Sequence, residues 1–220
     1  MRAVRAILGL GLLTLAAAVL FLAFPVIDLV VSRAAFLADR RFLLTDVGFA
    51  RAINAATPWA VWLTSAAILG LGALILLRRR PVLGLDLRRV LFLILSFAVG
   101  PGLIVNLLLK EFWGRARPND VVEFGGTAEF TPALLPADQC AANCSFVSGD
   151  VAIAFAYVAI ALLLPGRWRG PGIAAALLLG TGVGALRLLQ GAHFLSDVVF
   201  AALFTLLPMA VFAQALLRRP

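Results

Sequence analysis

The single histidine of the chain, His193, has Arg187 six positions before it and Asp197 four positions after it. All three lie between two long apolar runs, where charged groups cost solvation energy, so their presence indicates a function. A carboxylate one helical turn from an imidazole can accept its ring N–H and fix its tautomer. An arginine close by can hold an oxyanion. Together the three residue types predict phosphate chemistry.

A second charged cluster contains Lys110, the only lysine of the chain, and Arg117 seven positions later. A helical stretch puts both on one face, and Pro118 ends that helix. Cationic side chains that extend along a membrane interface beside Trp113 would explain this cluster without a ligand. An anionic ligand is the alternative, and it is favoured because cations are unusual on the outer side of a membrane protein.

A third polar cluster, Ser148-Gly149-Asp150, precedes another apolar run. Ser148 has the residue type of a helix N-cap, and Asp150 would face the positive end of the helix dipole. Those roles explain the cluster structurally. Backbone N–H groups, a serine hydroxyl and a glycine that permits close approach also make an anion site. Taken alone, this cluster leaves both interpretations open.

The elements that carry these clusters are predicted to be membrane-spanning helices. The 220 residues are 63% apolar and 14% charged, with a mean hydropathy of +1.04. Soluble domains are about 45–50% apolar, so a soluble protein is excluded. We predict an all-α, polytopic membrane protein with a single domain over residues 1–220. A span needs roughly 20 apolar residues, and the six predicted spans are Val4–Phe24, Ala55–Leu77, Val90–Leu109, Val151–Leu164, Ile173–Leu189 and Leu195–Leu217.

The distribution of arginines predicts the orientation of these spans. If the N-terminus is cytoplasmic, eleven arginines and a single acidic residue, Asp86, fall on the inner side. This asymmetry predicts both termini in the cytoplasm. The basic balance then reflects topology and attraction to anionic headgroups, so nucleic-acid binding is not expected. With six spans, the third and fifth end, and the fourth and sixth begin, at the outer face, where the three polar clusters are predicted to meet.

Two cysteines, Cys140 and Cys144, lie in the long polar segment between residues 110 and 150. This segment is on the predicted outer side, where an oxidising compartment permits a disulfide. We expect a disulfide, because a four-residue spacing can close when the segment is irregular. Two free thiols or half of a metal site are the alternatives, and the lack of a histidine near them in the sequence disfavours zinc.

In order and spacing, the three clusters resemble the signature of the type 2 phosphatidic acid phosphatase superfamily, which reads Lys-x6-Arg-Pro, then Pro-Ser-Gly-His, then Ser-Arg-x5-His-x3-Asp. The first motif matches in full, and the third matches with Leu186 in place of serine. In the middle motif, Val147 replaces proline and Asp150 replaces histidine. The resemblance covers about residues 110–197.

The resemblance implies a helical core like that of acid phosphatases and vanadium haloperoxidases within the six spans. It also implies that His193 attacks phosphorus to form a phosphohistidine and that Asp197 orients the ring. Asp150 takes the position of the histidine that protonates the leaving oxygen. Without a metal or other cofactor, the phosphate would be bound by Lys110, Arg117, Ser148, Gly149 and Arg187.

The segments Cys144–Gly149 and Glu123–Gly126 narrow the resemblance to bacterial lipid A 1-phosphatases. An aspartate donates a proton only while it is protonated, so Asp150 favours a good leaving group, as in a glycosyl 1-phosphate or a lipid pyrophosphate. We therefore expect hydrolysis of a lipid phosphate monoester, with lipid A 1-phosphate as the expected substrate. The expected location is a bacterial inner membrane, with the site facing the periplasm.

Several other functions fit the same residues. Within enzymes, they are a phosphatase for phosphatidylglycerol phosphate or undecaprenyl (pyro)phosphate, and a phosphotransferase from one lipid to another. Outside enzymes, the alternative is a phospholipid-binding or transport protein, in which Asp150 would mark the loss of catalysis. Charges in transporters are scattered through the membrane, whereas here they gather at one face, which favours an enzyme.

Overall fold

The computed structural model describes residues 2–217, which are mostly helical. The helices are α1 (Arg2–Ala23), α2 (Val26–Ala35), α3 (Gly48–Arg78), α4 (Leu87–Phe97), a π-helix (Ala98–Leu109), α5 (Lys110–Phe112), α6 (Gly149–Leu162), α7 (Gly166–Leu189) and α8 (Leu195–Leu216). Short 3-10 turns occur at Pro118–Asp120 and Val122–Phe124. Arg218 and Arg219, which contribute to the orientation prediction, lie outside the described residues.

Five helical stretches are long and apolar enough to cross a membrane, namely Val4–Ala23, Gly48–Arg78, Leu87–Phe112, Gly166–Leu189 and Leu195–Leu216. The prediction of a mostly helical chain with several apolar helices of spanning length is therefore confirmed. The predicted fourth span corresponds to α6, which has 14 residues. Its length is about 21 Å, less than the roughly 30 Å of a bilayer core. Six spans and two cytoplasmic termini stay predictions.

The short helix α6 lies at the centre of the molecule, packed against α4, the π-helix, α7 and α8. Nine of its 14 residues are buried. Small residues on α7 allow close packing around it, because a Cβ on Gly180 would overlap the ring of Phe155. A helix that is surrounded by protein can end below the membrane surface without exposing its backbone to lipid. The polar N-terminus of α6 is thus held inside the protein.

The connection between α2 and α3 departs from the all-α prediction, because it forms a two-stranded antiparallel hairpin of β1 (Phe36–Ala38) and β2 (Arg41–Phe42). The ring of Phe42 packs edge-on against Phe124, with the centroids 5.5 Å apart. The same ring lies against Gly191, where an added Cβ would overlap it. Gly191 has φ +65°, so both its backbone conformation and this close contact require glycine. The hairpin therefore covers the turn between α7 and α8.

Candidate active site

The turn between α7 and α8 carries His193. Helix α7 ends at Leu189, with Arg187 in its last turn, and α8 begins at Leu195, with Asp197 in its first turn. Gly191 provides the left-handed backbone position that separates the two helices. This break places Arg187 and Asp197 on different helices, one before and one after the imidazole in the sequence.

The imidazole of His193 is fully buried, and its tautomer is set by the backbone. Its Nδ1 lies 2.8 Å from the carbonyl oxygen of Ser145. A carbonyl can only accept a hydrogen bond, so Nδ1 carries the proton and Nε2 keeps a lone pair. Asp197 Oδ2 is 3.8 Å from the same Nδ1, beyond hydrogen-bond distance. Ser145, which sequence reasoning did not single out, therefore receives the contact that was expected for Asp197.

The carboxylate of Asp197 is buried and accepts hydrogen bonds on both oxygens. Oδ1 accepts from Nη1 of Arg115 at 2.7 Å. Oδ2 accepts from the Ser145 hydroxyl at 2.5 Å and from the Phe194 N–H at 2.8 Å. Such contacts stabilise the ionised carboxylate. Asp197 thus presents a fixed negative charge beside the ring of His193.

Behind Asp197 lies a second buried carboxylate, Asp28 of α2. Its Oδ2 is 2.8 Å from Nη2 of Arg115, so one guanidinium bridges two carboxylates. Nε of Arg115 donates to the carbonyl oxygen of Thr131 at 2.9 Å. The guanidinium carbon also lies 4.4 Å from the ring centroid of Phe194. Asp28, Arg115 and Asp197 are all 0% exposed, which makes this a closed ionic network.

The His193 cluster, through Arg187, and the Ser148-Gly149-Asp150 cluster are joined by an ion pair. Nη2 of Arg187 is 2.7 Å from Oδ2 of Asp150, and both side chains are partly exposed, at 12% and 20%. Nη1 of Arg187 donates to Oε1 of Gln190 at 3.1 Å. This contact occupies the carboxylate that was predicted to be a proton donor. The contact has the geometry of an ion pair, and the role of Asp150 as proton donor stays a prediction.

The Lys110 cluster and the Ser148-Gly149-Asp150 cluster meet at Gly149. A Cβ at this position would lie 3.3 Å from Nζ of Lys110 and would overlap the amide of Asn106. Arg117, which follows the end of α5, donates from Nη2 to the carbonyl oxygen of Asn143 at 2.8 Å. The three predicted clusters are therefore brought to one place, with Lys110 close to the N-terminus of α6.

Ser148 is the N-cap residue of α6, as its residue type predicts, but its side chain makes no capping hydrogen bond. Among the described residues, three buried polar atoms of the site have no hydrogen-bond partner: the Ser148 hydroxyl, Nε2 of His193 and Nε of Arg187. Buried polar atoms are normally paired, so three unpaired ones in one site need an explanation. A bound anion that accepts hydrogen bonds from the Ser148 hydroxyl and the Arg187 guanidinium would explain them.

Burial and neighbouring charges shift the pKa values of His193 and Arg117. Burial lowers the pKa of His193 to about 4; the nearby Asp197 opposes this shift, whereas Arg187 and Lys110 add to it. Burial also lowers the pKa of Arg117, and the charge of Arg187 lowers it further. The ring of His193 is consequently neutral, with its Nε2 lone pair available, over the whole physiological pH range.

The two cysteines, Cys140 and Cys144, form a disulfide in the loop between the Lys110 cluster and the Ser148-Gly149-Asp150 cluster. This confirms the expected pairing over two free thiols or half of a metal site. The bridge lies three residues before Asn143 at one end and one residue after it at the other, so it frames the carbonyl that Arg117 contacts. It therefore restrains the loop beside the cationic cluster.

Residues 89–219 match the sequence profile of the PAP2 superfamily, which is more than half of the chain. The chain belongs to this superfamily. The match includes every residue of the three sequence clusters but not Asp28.

Four curated relatives, three named lipid A 4′-phosphatase and one named lipid A 1-phosphatase, support this membership. The lipid A 4′-phosphatase of Francisella tularensis subsp. novicida is 41% identical over 118 residues, which are 53% of this chain and 53% of the relative. The lipid A 4′-phosphatase of Rhizobium leguminosarum is 42% identical over 115 residues, or 52% of this chain and 49% of the relative. The lipid A 1-phosphatase of Rhizobium johnstonii is 38% identical over 118 residues, or 51% and 44%. The chain thus spans about half the length of the curated relatives it matches, and no solved structure matches it significantly.

Within the PAP2 site, sequence reasoning missed Asp28, Arg115 and Ser145 as partners of the central residues. Asp28 carried one signal, because it is the only acidic residue in the apolar helix α2. Arg115 lies between Lys110 and Arg117 in the second cluster, but 87 residues separate it from Asp28. Spacing within a helix reveals contacts one turn apart and cannot reveal a pair that only the tertiary fold brings together.

Proposed function

We propose that this chain is a membrane phosphatase that releases inorganic phosphate from a lipid phosphate monoester, with lipid A as the lipid. The observation that carries this proposal is the unpartnered Nε2 of His193, whose ring is fixed by the Ser145 carbonyl. Membership of the PAP2 superfamily and relatives named lipid A phosphatases support the reaction and the substrate class.

In the first step, the Nε2 lone pair of His193 attacks phosphorus, and the bond from phosphorus to the lipid oxygen breaks. The electron pair of that bond leaves with the lipid oxygen, which takes up a proton from solvent water. The histidine becomes an N-phosphorylated ring that keeps its Nδ1 proton and is cationic. The fixed charge of Asp197, 3.8 Å from Nδ1, stabilises this cation.

In the second step, water attacks the phosphorus, the bond from phosphorus to Nε2 breaks, and inorganic phosphate leaves. Lys110, Arg117 and Arg187 hold the nonbridging oxygens in both steps, with the Ser148 hydroxyl and the Gly149 N–H as further donors. Phosphoryl transfer depends mainly on positioning and on charge stabilisation, and three cations supply both. We propose that no metal ion takes part.

The proposal also includes which of the phosphates of lipid A is removed. The ion pair between Asp150 and Arg187 leaves the leaving oxygen without a strong acid, so a leaving group that needs little protonation is favoured. The anomeric oxygen of a 1-phosphate is such a group, and lipid A 1-phosphate is our first candidate. The 4′-phosphate is the second, because three of the relatives are named lipid A 4′-phosphatases.

We also propose that the site faces the periplasm of a bacterial inner membrane. The disulfide at Cys140 supports this side, because such bonds persist in oxidising compartments. The arginine-rich end of α3, with Arg78 and the residues after it, supports a cytoplasmic location for the opposite end of the bundle. In this arrangement α6 is the fourth of six spans, and its N-terminus lies at the phosphate site.

The test is phosphate release by the full chain, purified in detergent with EDTA present. The substrates are lipid A 1-phosphate, lipid A 4′-phosphate, phosphatidic acid, phosphatidylglycerol phosphate and undecaprenyl pyrophosphate. We expect turnover of one lipid A monophosphate well above that of phosphatidic acid, and none with His193→Ala. Full activity of His193→Ala contradicts the mechanism, and equal turnover of phosphatidic acid contradicts the leaving-group argument. Binding of the lipids without turnover of any of them supports a binding or transport protein instead.

A further inference from the structure

A carboxylate outside the superfamily match reaches the reacting histidine through two other residues. Asp28 lies on α2, upstream of the matched residues 89–219, and is fully buried. Its Oδ2 accepts from Nη2 of Arg115, and the same guanidinium donates to Asp197. Asp197 in turn lies beside the ring of His193. The chain of contacts runs from α2 to the nucleophile without a break.

Asp28 also holds the helix that carries Asp197. Its Oδ1 accepts from the backbone N–H of Ser196 at 2.8 Å, in the first turn of α8. Its Oδ2 accepts from the Ser196 hydroxyl at 2.5 Å. The first-turn N–H groups of a helix have no partner within the helix, so this carboxylate caps α8 from another element. Asp28 therefore fixes the residue next to Asp197 in position.

The charges of this network do not cancel. Burial raises the pKa of Asp28, whereas its three donors, Nη2 of Arg115 and the N–H and hydroxyl of Ser196, favour its ionised form. With Asp28 and Asp197 both ionised, two carboxylates share the one guanidinium of Arg115, and the buried group carries one net negative charge. A buried charge is costly unless an opposite charge balances it. The His193 ring, next to Asp197, is neutral at rest and becomes cationic when Nε2 bonds to phosphorus. The balance of charge is reached only in the covalent intermediate.

We propose that Asp28 is a positioning residue for the reaction at His193: it fixes Asp197 and supplies the net negative charge that stabilises the cationic ring of the phosphohistidine. This inference rests on the proposed function. Without Asp28, the full charge of Arg115 would neutralise Asp197, and the ring cation would lose its counter-charge.

The other charged groups around His193 either oppose a positive charge on its ring or lie at the proposed phosphate position. Arg187 on α7 and Lys110 at the end of the third span oppose a positive ring. Asp150 on α6 is paired with Arg187, and Arg117 in the loop contacts the Asn143 carbonyl. Asp197, on α8, is thus the one carboxylate among the described residues with an oxygen within 4 Å of a ring nitrogen of His193, and Arg115 and Asp28 decide how much of its charge the ring experiences.

The test compares Asp28→Asn, Asp28→Glu and the control Ser32→Ala by kcat, KM and the pH dependence of kcat/KM for a lipid A monophosphate. Asp28→Asn keeps the shape and removes the charge. Asp28→Glu keeps the charge and displaces it. Ser32 is a matched control, because it is buried one turn further along α2 and its hydroxyl has no partner in the described part of the chain.

For Asp28→Asn we expect kcat to fall by about 10- to 100-fold with little change in KM, because Asp28 does not contact the phosphate. The acid limb of kcat/KM should move to lower pH, by on the order of one unit, because the ring cation has lost an attractive charge. Asp28→Glu should lower kcat but leave the acid limb in place, and Ser32→Ala should leave both unchanged.

An Asp28→Asn protein with a lower melting temperature but a wild-type kcat and acid limb overturns the proposal, since Asp28 is then only structural. If Asp28→Asn does not fold, Asp28→Glu decides: a lower kcat at an unchanged acid limb supports the proposal, and an unchanged kcat overturns it. The proposed function fails separately, when wild type and Ser32→Ala release no phosphate from any of the lipids, and this inference then fails with it.

Discussion

Two arginine–carboxylate contacts lie on either side of the histidine, and they differ in how completely they are satisfied. Arg115 is 0% exposed and binds two carboxylates, a hydroxyl and a carbonyl oxygen. Arg187 is partly exposed, binds the single carboxylate of Asp150, and keeps Nε without a partner. A buried guanidinium whose three nitrogens all donate to protein atoms cannot bind a ligand, whereas a guanidinium with an unpaired N–H can. We therefore propose that the first pair sets the electrostatic potential at the ring and that the second binds phosphate.

The largest difference between the two pairs is expected in their contribution to the stability of the fold. Arg115→Gln leaves Asp28 and Asp197 buried without a counter-charge, and breaking a buried ionic group in this way costs about 3–5 kcal/mol. The melting temperature in detergent should fall steeply. Arg187→Gln serves as the comparison, because its carboxylate partner is partly exposed and can be solvated. Equal loss of stability in the two variants would remove the distinction between the pairs.

For activity we expect the reverse order, in which the substitution of Arg187 has its main effect on the rate and not on stability. Arg187→Gln removes a donor to the transferred phosphoryl group, and the loss of one such contact costs about 10²–10³ in rate. We expect kcat/KM for lipid A monophosphate to fall by that factor while the protein stays folded, as judged by an unchanged elution volume. Arg187→Lys should recover only part of the activity, because lysine lacks the planar fork. Wild-type kcat/KM in Arg187→Gln would contradict a phosphate-binding role.

Asp150→Asn tests whether the partly exposed pair also supplies a proton. If Asp150 only holds Arg187, the amide still fits beside the guanidinium and kcat should change by less than about tenfold. The basic limb of the pH profile of kcat should also stay where it is in the wild type. A loss of more than about a hundredfold, together with loss of that basic limb, would instead identify Asp150 as the general acid.

The smallest expected effect is seen in the wild type itself, without a substitution, as the pH at which the acid limb of its pH profile lies. Nε2 attacks only when the ring is neutral, and burial lowers the pKa of His193 to about 4. Activity that depends on the neutral ring is lost as the pH falls through this value, so the acid limb of kcat/KM should lie near pH 4 rather than near 6.5. An acid limb near 6.5 would show that Asp197 and its network offset the burial of the ring completely.

The clusters of the site could be predicted because each is local. Arg187, His193 and Asp197 lie within eleven residues, and the break at Gly191 was visible as a glycine between two apolar runs. Helix length was less predictable, because α6 is a short buried helix whose apolar residues continue beyond its last turn at Leu162. Periodicity cannot separate such a helix from a complete span.

The contacts that organise the nucleophile could not be predicted, because they join elements far apart in the sequence. Ser145 reaches the ring through its backbone carbonyl, a group that every residue has, so no residue type marks it. Asp28 is distinctive in α2, but its partner Arg115 is identified only when the loop after α5 meets α2. The hairpin that covers Gly191 is short, and its pairing depends on contacts with Phe124 rather than on strand propensity.

The most direct test of the account is to isolate the phosphorylated histidine. Wild type and His193→Ala are mixed with ³²P-labelled lipid A monophosphate, quenched within the first turnover and analysed for protein-bound label. We predict label on the peptide that contains His193, stable to alkali and released by acid, as expected of a phosphoramidate, and no label in His193→Ala. Phosphate released by wild type with no labelled protein at any time, or label that persists in His193→Ala, would contradict the account.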